Sequence, residues 1–328
     1  MKLRKVESFR REKVAESIST YLGVESKQLE ILGQFSNGAI NDHFLFSCSN
    51  GDPGVWRERN ALALPVDCQN LLKLEAQLIA GLSKQERAWC PALVASIEQH
   101  YGEGFILEAI NGDSHPKQFY DELENRAFWY QTAQIMAELH DTSLPVEMQE
   151  ALAPCSLSYV LSSFAEWVEE QAHPMSETIA KELEFIVDDL ARAKAASVLC
   201  HNDFRMGNLL RSKSGQIFLL DWEFAGLGER EQDIGWLFAP CWRYAKPEAI
   251  EENLSVFIES YQELSSIQIN EERVGFWRYA SQVRWSAIAL MQEWRLKQQG
   301  LEPDYSEVPQ QSPENAIAEA RRLKALVF

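Results

Sequence analysis

Four residues with oxygen-bearing side chains stand close together in one stretch of the chain: Asp203, Asn208, Asp221 and Glu223. The stretch opens His201-Asn202-Asp203-Phe204-Arg205-Met206-Gly207-Asn208 and continues through the apolar pair Leu209-Leu210 to a turn at Ser214-Gly215. An apolar strand, Ile217 to Leu220, then ends on Asp221-Trp222-Glu223. Two short strands joined by a hairpin bring all four residues to one rim. Phosphoryl transfer asks for such a set. A carboxylate must orient an attacking hydroxyl and accept its proton, and hard oxygen ligands must hold Mg²⁺ on the phosphates. Asp203 suits the first role as catalytic base, and Asn208 and Asp221 suit the second as metal ligands. Arg205, two residues beyond Asp203, would place a positive charge beside the transferred group.

The step from Asp203 to Asn208 is also that of the kinase catalytic loop, His-Arg-Asp-x-x-x-x-Asn. Alone, a His-x-Asp is a common turn and an Asp-x-Glu a common strand end; here they occur in order and at matching offsets. The segment resembles the catalytic core of the aminoglycoside phosphotransferase and choline kinase family. The string Asp221-Trp222-Glu223-Phe224-Ala225-Gly226, then Asp233-Ile234-Gly235-Trp236 and Cys241-Trp242-Arg243, is similar to a bacterial branch of phosphotransferases. That resemblance implies a protein-kinase-like fold, ATP in the cleft between lobes and two Mg²⁺ sites. By position it makes Asp203 the base, Asn208 and Asp221 metal ligands, and Glu223 a residue with a metal or substrate role. Asn202 stands where the branch more often has Gly. Asp233 corresponds to a structural residue that hydrogen-bonds the catalytic-loop backbone.

Before this segment the likeness is looser. Gly38 and Asn41 resemble the Gly-x-x-Asn of the family's loop over the ATP phosphates, although an Asn-Gly step between strands is also an ordinary hairpin signal. Arg57, on the strand Val55 to Arg59, falls where the family holds the α- and β-phosphates. Alternation puts Arg59 on the same face, so the choice of Arg57 rests on the resemblance. Glu75, on the next helix, would be its ion-pair partner. Glu108, where the strand-rich part ends, joins the nucleotide-binding set.

The elements that must position these residues follow from periodicity. Val14, Ile18, Tyr21 and Leu22 share a helical face. Leu29 to Phe35 and Asp42 to Cys48 read as strands, and a helix containing Leu71, Leu72, Glu75, Leu78 and Leu82 follows. Pro91 to Ile97 and Gly104 to Ile110 read as further strands. Helical spacing then takes over, as in Val160, Phe164, Trp167 and Val168, and in Trp277, Trp285 and Ile288. A polar stretch from Gln298 to Glu314 precedes a closing helix, Ala316 to Leu326. The plan is α+β: a small strand-rich N-lobe over residues 1–110 and a larger, mainly helical C-lobe over residues 111–328.

Composition removes several classes. The 31 basic and 49 acidic residues give a net charge of −18, which repels nucleic acid and anionic membranes. No apolar run approaches the ~20 residues that span a bilayer, and the charged start, Met1 to Lys13, is no secretory signal. Six scattered cysteines without a Cys-x-x-Cys pair suit a reducing cytoplasm. Most of the ten tryptophans read as core. Trp242 and Arg243 are exceptions that could line a substrate pocket, while surface solvation accounts for Arg278 and Arg284. His140 reads as a helix C-terminal cation or a core hydrogen-bonder.

The expectation is an ATP- and Mg²⁺-dependent small-molecule kinase that phosphorylates a hydroxyl group. A nucleotide-binding pseudokinase that regulates a partner protein is the alternative, and it is disfavoured because Asp203, Asn208 and Asp221 are all present. A protein kinase would need a long activation segment, but only eleven residues separate Asp221 from Asp233.

Overall fold

The computed structural model describes residues 3–35, 41–49, 51–60, 71–85, 87–96, 104–153, 156–192, 197–242, 247–306 and 308–328. The first compact unit comprises nearly all of the chain up to Gln118 together with Gly207–Glu223. It opens with β1 (Leu3–Arg4) and α1 (Ser8–Leu22), then β2 (Leu29–Phe35), β3 (Asn41–Cys48) and β4 (Gly51–Arg59). Next come α2 (Leu71–Lys84), β5 (Leu93–Ala95), β6 (Phe105–Glu108) and the short β7 (Gly112–Asp113). The first six strands form an antiparallel sheet in the order β1-β2-β3-β4-β6-β5. The face of α1 read from its spacing, Val14, Ile18 and Tyr21, packs with Ile31, Phe44, Phe46, Trp56 and Ile106 of the sheet. Tyr21 meets Trp56 edge-on at 4.9 Å, a geometry favoured by the ring quadrupoles.

The second unit is Phe119–Met206 with Phe224–Phe328. Its elements begin with α3 (Arg126–His140), α4 (Val146–Leu152), α5 (Leu157–Glu169), α6 (Ser176–Arg192) and β8 (Val198–Cys200). The chain then contributes β9 (Leu209–Ser212) and β10 (Ile217–Leu219) to the first unit, where they form a three-stranded sheet with β7. Gly215, at φ +89°, makes their turn in a conformation that L side chains rarely adopt. The second unit resumes with β11 (Gly226–Gly228), paired with β8, and α7 (Arg230–Leu237). It closes with α8 (Pro247–Ser265), α9 (Glu271–Gln298) and α10 (Pro313–Val327).

The fold is thus α+β, with a strand-rich first lobe and a mainly helical second one. Helices start where the sequence offers caps: Asn125, Ser156, Asn270 and Ser312 each accept a backbone N–H from the first turn of α3, α5, α9 and α10. Two helices of the second unit approach unusually closely. A Cβ on Gly235 of α7 would lie 2.5 Å from Cβ of Trp277 on α9, so only glycine lets these backbones meet.

Candidate active site

In the first unit, the register of β3 on β4 sets His43 opposite Arg57 and Asn41 opposite Arg59. Arg59 is exposed, whereas Arg57 is 1% exposed. Burying a guanidinium demands compensation, and three carboxylates provide it. Nε donates to Glu75 at 2.9 Å, Nη1 to Asp221 at 2.6 Å and Nη2 to Glu223 at 3.0 Å. Glu75, on α2, also accepts the backbone N–H of Trp222 at 3.1 Å, tying that helix to the segment after β10. Asn41 donates to Glu223 at 2.7 Å. Asp221 itself sits at φ +63°, a left-handed conformation that Asp tolerates better than most residues.

The electrostatics follow from this crowding. Burial opposes the charge on Arg57, but the three carboxylates more than offset it and hold the guanidinium above its ordinary range. Burial would also raise Asp221, yet His43 and Arg57 pull it well below the usual carboxylate range. Glu75 goes the other way. Burial, reinforced by the charge of Asp221, outweighs Arg57 and pushes its carboxyl up to about 7. His43 lies against Arg57 and 3.4 Å from Asp221, and burial followed by the Arg57 charge keeps its ring below the ordinary histidine value.

His43, Arg57, Glu75 and Asp221 of this group line a cavity of about 430 Å³. Most of the rest of the wall is apolar, including Leu32, Leu45, Val55, Ile79, Leu107 and Leu220, with Asn111 and Ser114 among the polar residues. Glu108 also lines it, with its carboxylate turned onto the backbone N–H of Ala92 at 2.7 Å. Asn208 is 1% exposed, and its carbonyl accepts Leu220 N–H at 2.8 Å, one residue from Asp221. Gly38 and Arg243 lie outside the described residues.

In the second unit, Asp203 follows β8 on a loop that is pinned through its backbone. Asp233 on α7 accepts the N–H of His201 and of Asn202, each at 2.7 Å. The Asp203 N–H donates to His201 Nδ1 at 3.2 Å. Asp203 is 7% exposed, and its carboxylate accepts the indole N–H of Trp236 at 2.8 Å and Arg205 Nε at 3.2 Å. Arg205 also lies 5.1 Å from the ring centre of Trp242. Its carboxylate partner is Asp203, while Glu229 is taken by Arg273 and Trp277.

His140 is a core hydrogen-bonder, joining Tyr261 at 2.8 Å and Asp233 at 3.3 Å. With Cys200 and Asp233 it forms a buried trio whose polar atoms fall within 4.8 Å of one another. Each is already engaged, however: Cys200 donates to Glu229 O, and burial holds its thiol far above the ordinary range. The trio therefore belongs to the core. Among the described cysteines, Cys48, Cys90, Cys200 and Cys241 are free thiols.

Two arginines expected at the surface are not there. Arg284 is 2% exposed, inside α9, and Arg278 bonds Phe238 O and pairs with Glu251 with little of its side chain exposed. Arg284 lies seven residues after Trp277 and four before Ile288, on the helical face already read as core; charge alone suggested otherwise. His43 was missed as well. Its signal is alternation, since it stands two residues after Asn41 on one strand. Trp236, read only as core, carries an N–H aimed at Asp203.

The sequence profile of the phosphotransferase enzyme family matches residues 33–265, and the chain belongs to that family. Among curated protein sequences none matches. Solved structures of low identity share the fold. Choline kinase LicA from Streptococcus pneumoniae is 17% identical, with a TM-score of 0.64 over 97% of this chain and 100% of that one. Plasmodium vivax ethanolamine kinase is 16% identical, with a TM-score of 0.65 over 97% of each chain. The aminoglycoside phosphotransferase APH(2")-IIa, bound to gentamicin, is 16% identical, with a TM-score of 0.64 over 99% of each chain. No helix among the described residues is long and apolar enough to cross a membrane.

Proposed function

We propose that this chain is an ATP- and Mg²⁺-dependent cytoplasmic kinase that transfers the γ-phosphoryl group to a hydroxyl of a small molecule. One observation carries the reading: three carboxylates converge on the buried guanidinium of Arg57 in the wall of a largely apolar cavity. A largely apolar pocket with a charged cluster in its wall suits a nucleotide, whose base is flat and whose phosphates are anionic. The donor set also fits magnesium. One positive charge among Glu75, Asp221 and Glu223 leaves surplus negative charge, and the oxygens of Asp221, Asn208 and Glu223 are hard ligands. Bound there, Mg²⁺ would neutralise charge on the phosphates.

The chain's own residues supply the remainder. Arg57 would face the α- and β-phosphates, and Asn41 would keep Glu223 in place. Asp203, oriented by Trp236 and Arg205, would align the acceptor hydroxyl and take its proton. Arg205 would stand near the charge that spreads over the transferred group.

Calorimetric titration of ATP with and without Mg²⁺ tests the first half of the reading. Affinity is expected to fall when Mg²⁺ is removed from the parent and to become insensitive to it in Asp221→Ala. Equal affinity in all four conditions would overturn the metal assignment. ATP consumption across a panel of amino alcohols, aminoglycosides, sugars and acyl-linked hydroxy compounds tests the second half and identifies the acceptor.

A further inference from the structure

We infer that Arg284 is a positioning residue for Asp203, acting through the Asn202–Asp203 peptide and the ring of Trp236. This rests on the proposed role of Asp203 as the base. Asn202, immediately before it, is held at φ +61°, a conformation that costs free energy in any residue but glycine. Such a backbone persists only when its surroundings fix it from several sides. Asp233 takes its N–H at 2.7 Å, and Arg284 Nη1 donates to its carbonyl. That carbonyl belongs to the peptide from which Asp203 begins. The side chain of Asn202 is also held, donating to Phe224 O at 2.9 Å and accepting from Gln232.

The same guanidinium braces the second support of Asp203. Its carbon lies 4.2 Å from the ring centre of Trp236 and 4.8 Å from that of Phe224. Trp236 presents its N–H to Asp203. One buried cation thus fixes both the peptide plane and the donor that orient the carboxylate.

Two facts argue against a role in ligand binding or in plain packing. The void beside Arg284, walled also by Leu157, Leu161 and Trp277, is only about 10 Å³, space for no more than one water. And Arg284 Nε and Nη2 are buried without a hydrogen-bond partner among the described residues. An apolar side chain would fill the same space without that penalty. The cost is consistent with a position selected for what Nη1 and the cation face do.

The test measures turnover on an acceptor from the panel, or ATP hydrolysis without acceptor, alongside ATP affinity and a thermal melt. Arg284→Met keeps the volume but loses the carbonyl bond and the charge over Trp236. It should lower kcat about 10²-fold, the scale of a small misplacement of a reacting group, with ATP affinity unchanged. Arg284→Lys should recover part of the loss. Trp236→Phe keeps a ring but removes the donor, and should lower kcat about tenfold. The double variant should fall short of the product of the single effects, because both act on one carboxylate. Normal kcat in Arg284→Met, or a loss that Lys does not relieve and that multiplies cleanly with Trp236→Phe, overturns the inference. If Arg284→Met does not fold, Arg284→Lys and Trp236→Phe carry the test, and unchanged kcat in both overturns it. Asp203→Asn separates the two levels. Full turnover in that variant removes the base and this inference together, whereas a dead Asp203→Asn beside an unaffected Arg284→Met removes this inference alone.

Discussion

Arg57 and Arg284 are both buried guanidiniums, and the two units hold them in opposite ways. Arg57 has a carboxylate on each nitrogen, and its charge is locked in. Arg284 has one backbone carbonyl and two aromatic faces, and burial lowers its ionisation to about 10. In the first unit negative charge exceeds positive, an arrangement fit to receive a cation and phosphates. In the second, charge is used sparingly to fix the shape of one loop. The first set of contacts should therefore govern affinity, and the second should govern rate.

The largest expected effect breaks the second region at its centre. Asp203→Asn should lower turnover about 10²–10⁴-fold, the usual share of general-base catalysis, while calorimetry finds ATP affinity near that of the parent. An equal loss of affinity would erase the division between the two regions. In the first region, Arg57→Met leaves three carboxylates around an apolar side chain. Removing one partner from a buried ion cluster costs roughly 3–5 kcal/mol, so denaturant unfolding should show a loss of that order together with lost ATP binding.

Glu75 sharpens the contrast through pH. Its carboxyl stands at about 7 in the folded chain against an ordinary 4.5, so between those values the folded state keeps a proton that the unfolded state has released. The stability it lends is complete below pH 4.5 and is lost as pH rises through about 7. Glu75→Gln should flatten the melting temperature across that window. Asp221 has the opposite sign: its stability is present above the ordinary 3.8 and is lost only in stronger acid.

The smallest effect is Gly235→Ala. Its Cβ meets the backbone of Trp277 at 2.7 Å, and helix backbone does not yield as a flexible side chain does. Overpacking of this kind costs about 1–3 kcal/mol. Because α7 carries both Asp233 and Trp236, kcat should fall more than ATP affinity does.

What could be read from the sequence was what is local. The Asp203-to-Asn208 step and the strand ending at Asp221 lie within twenty residues, a span over which residue types and spacing can be read directly. Strand alternation and helical spacing likewise gave the order of elements, because both depend on near neighbours. What escaped depends on remote partners. Trp236 reaches Asp203 across 33 positions and Arg284 reaches Asn202 across 82, and no local pattern reports a hydrogen bond of that span. Arg284 shows the limit most clearly: helical phase placed it on the core face, but its charge argued for solvent, and only the aromatic surroundings resolve that conflict.

The insertion of Gly207–Glu223 into the first unit bears on how the chain is made. Arg57 and Glu75 leave the ribosome long before Asp221 and Trp222, which lie 164 and 147 positions further on. Until then Arg57 has Glu75 but lacks the other two carboxylates of its cluster, Asp221 and Glu223. Contacts of such long range form late, since the loop they close must be ordered first. The unit begun first in synthesis is thus completed only after Phe119–Met206 of the other has emerged, and a nascent chain halted before residue 207 should fail to bind nucleotide.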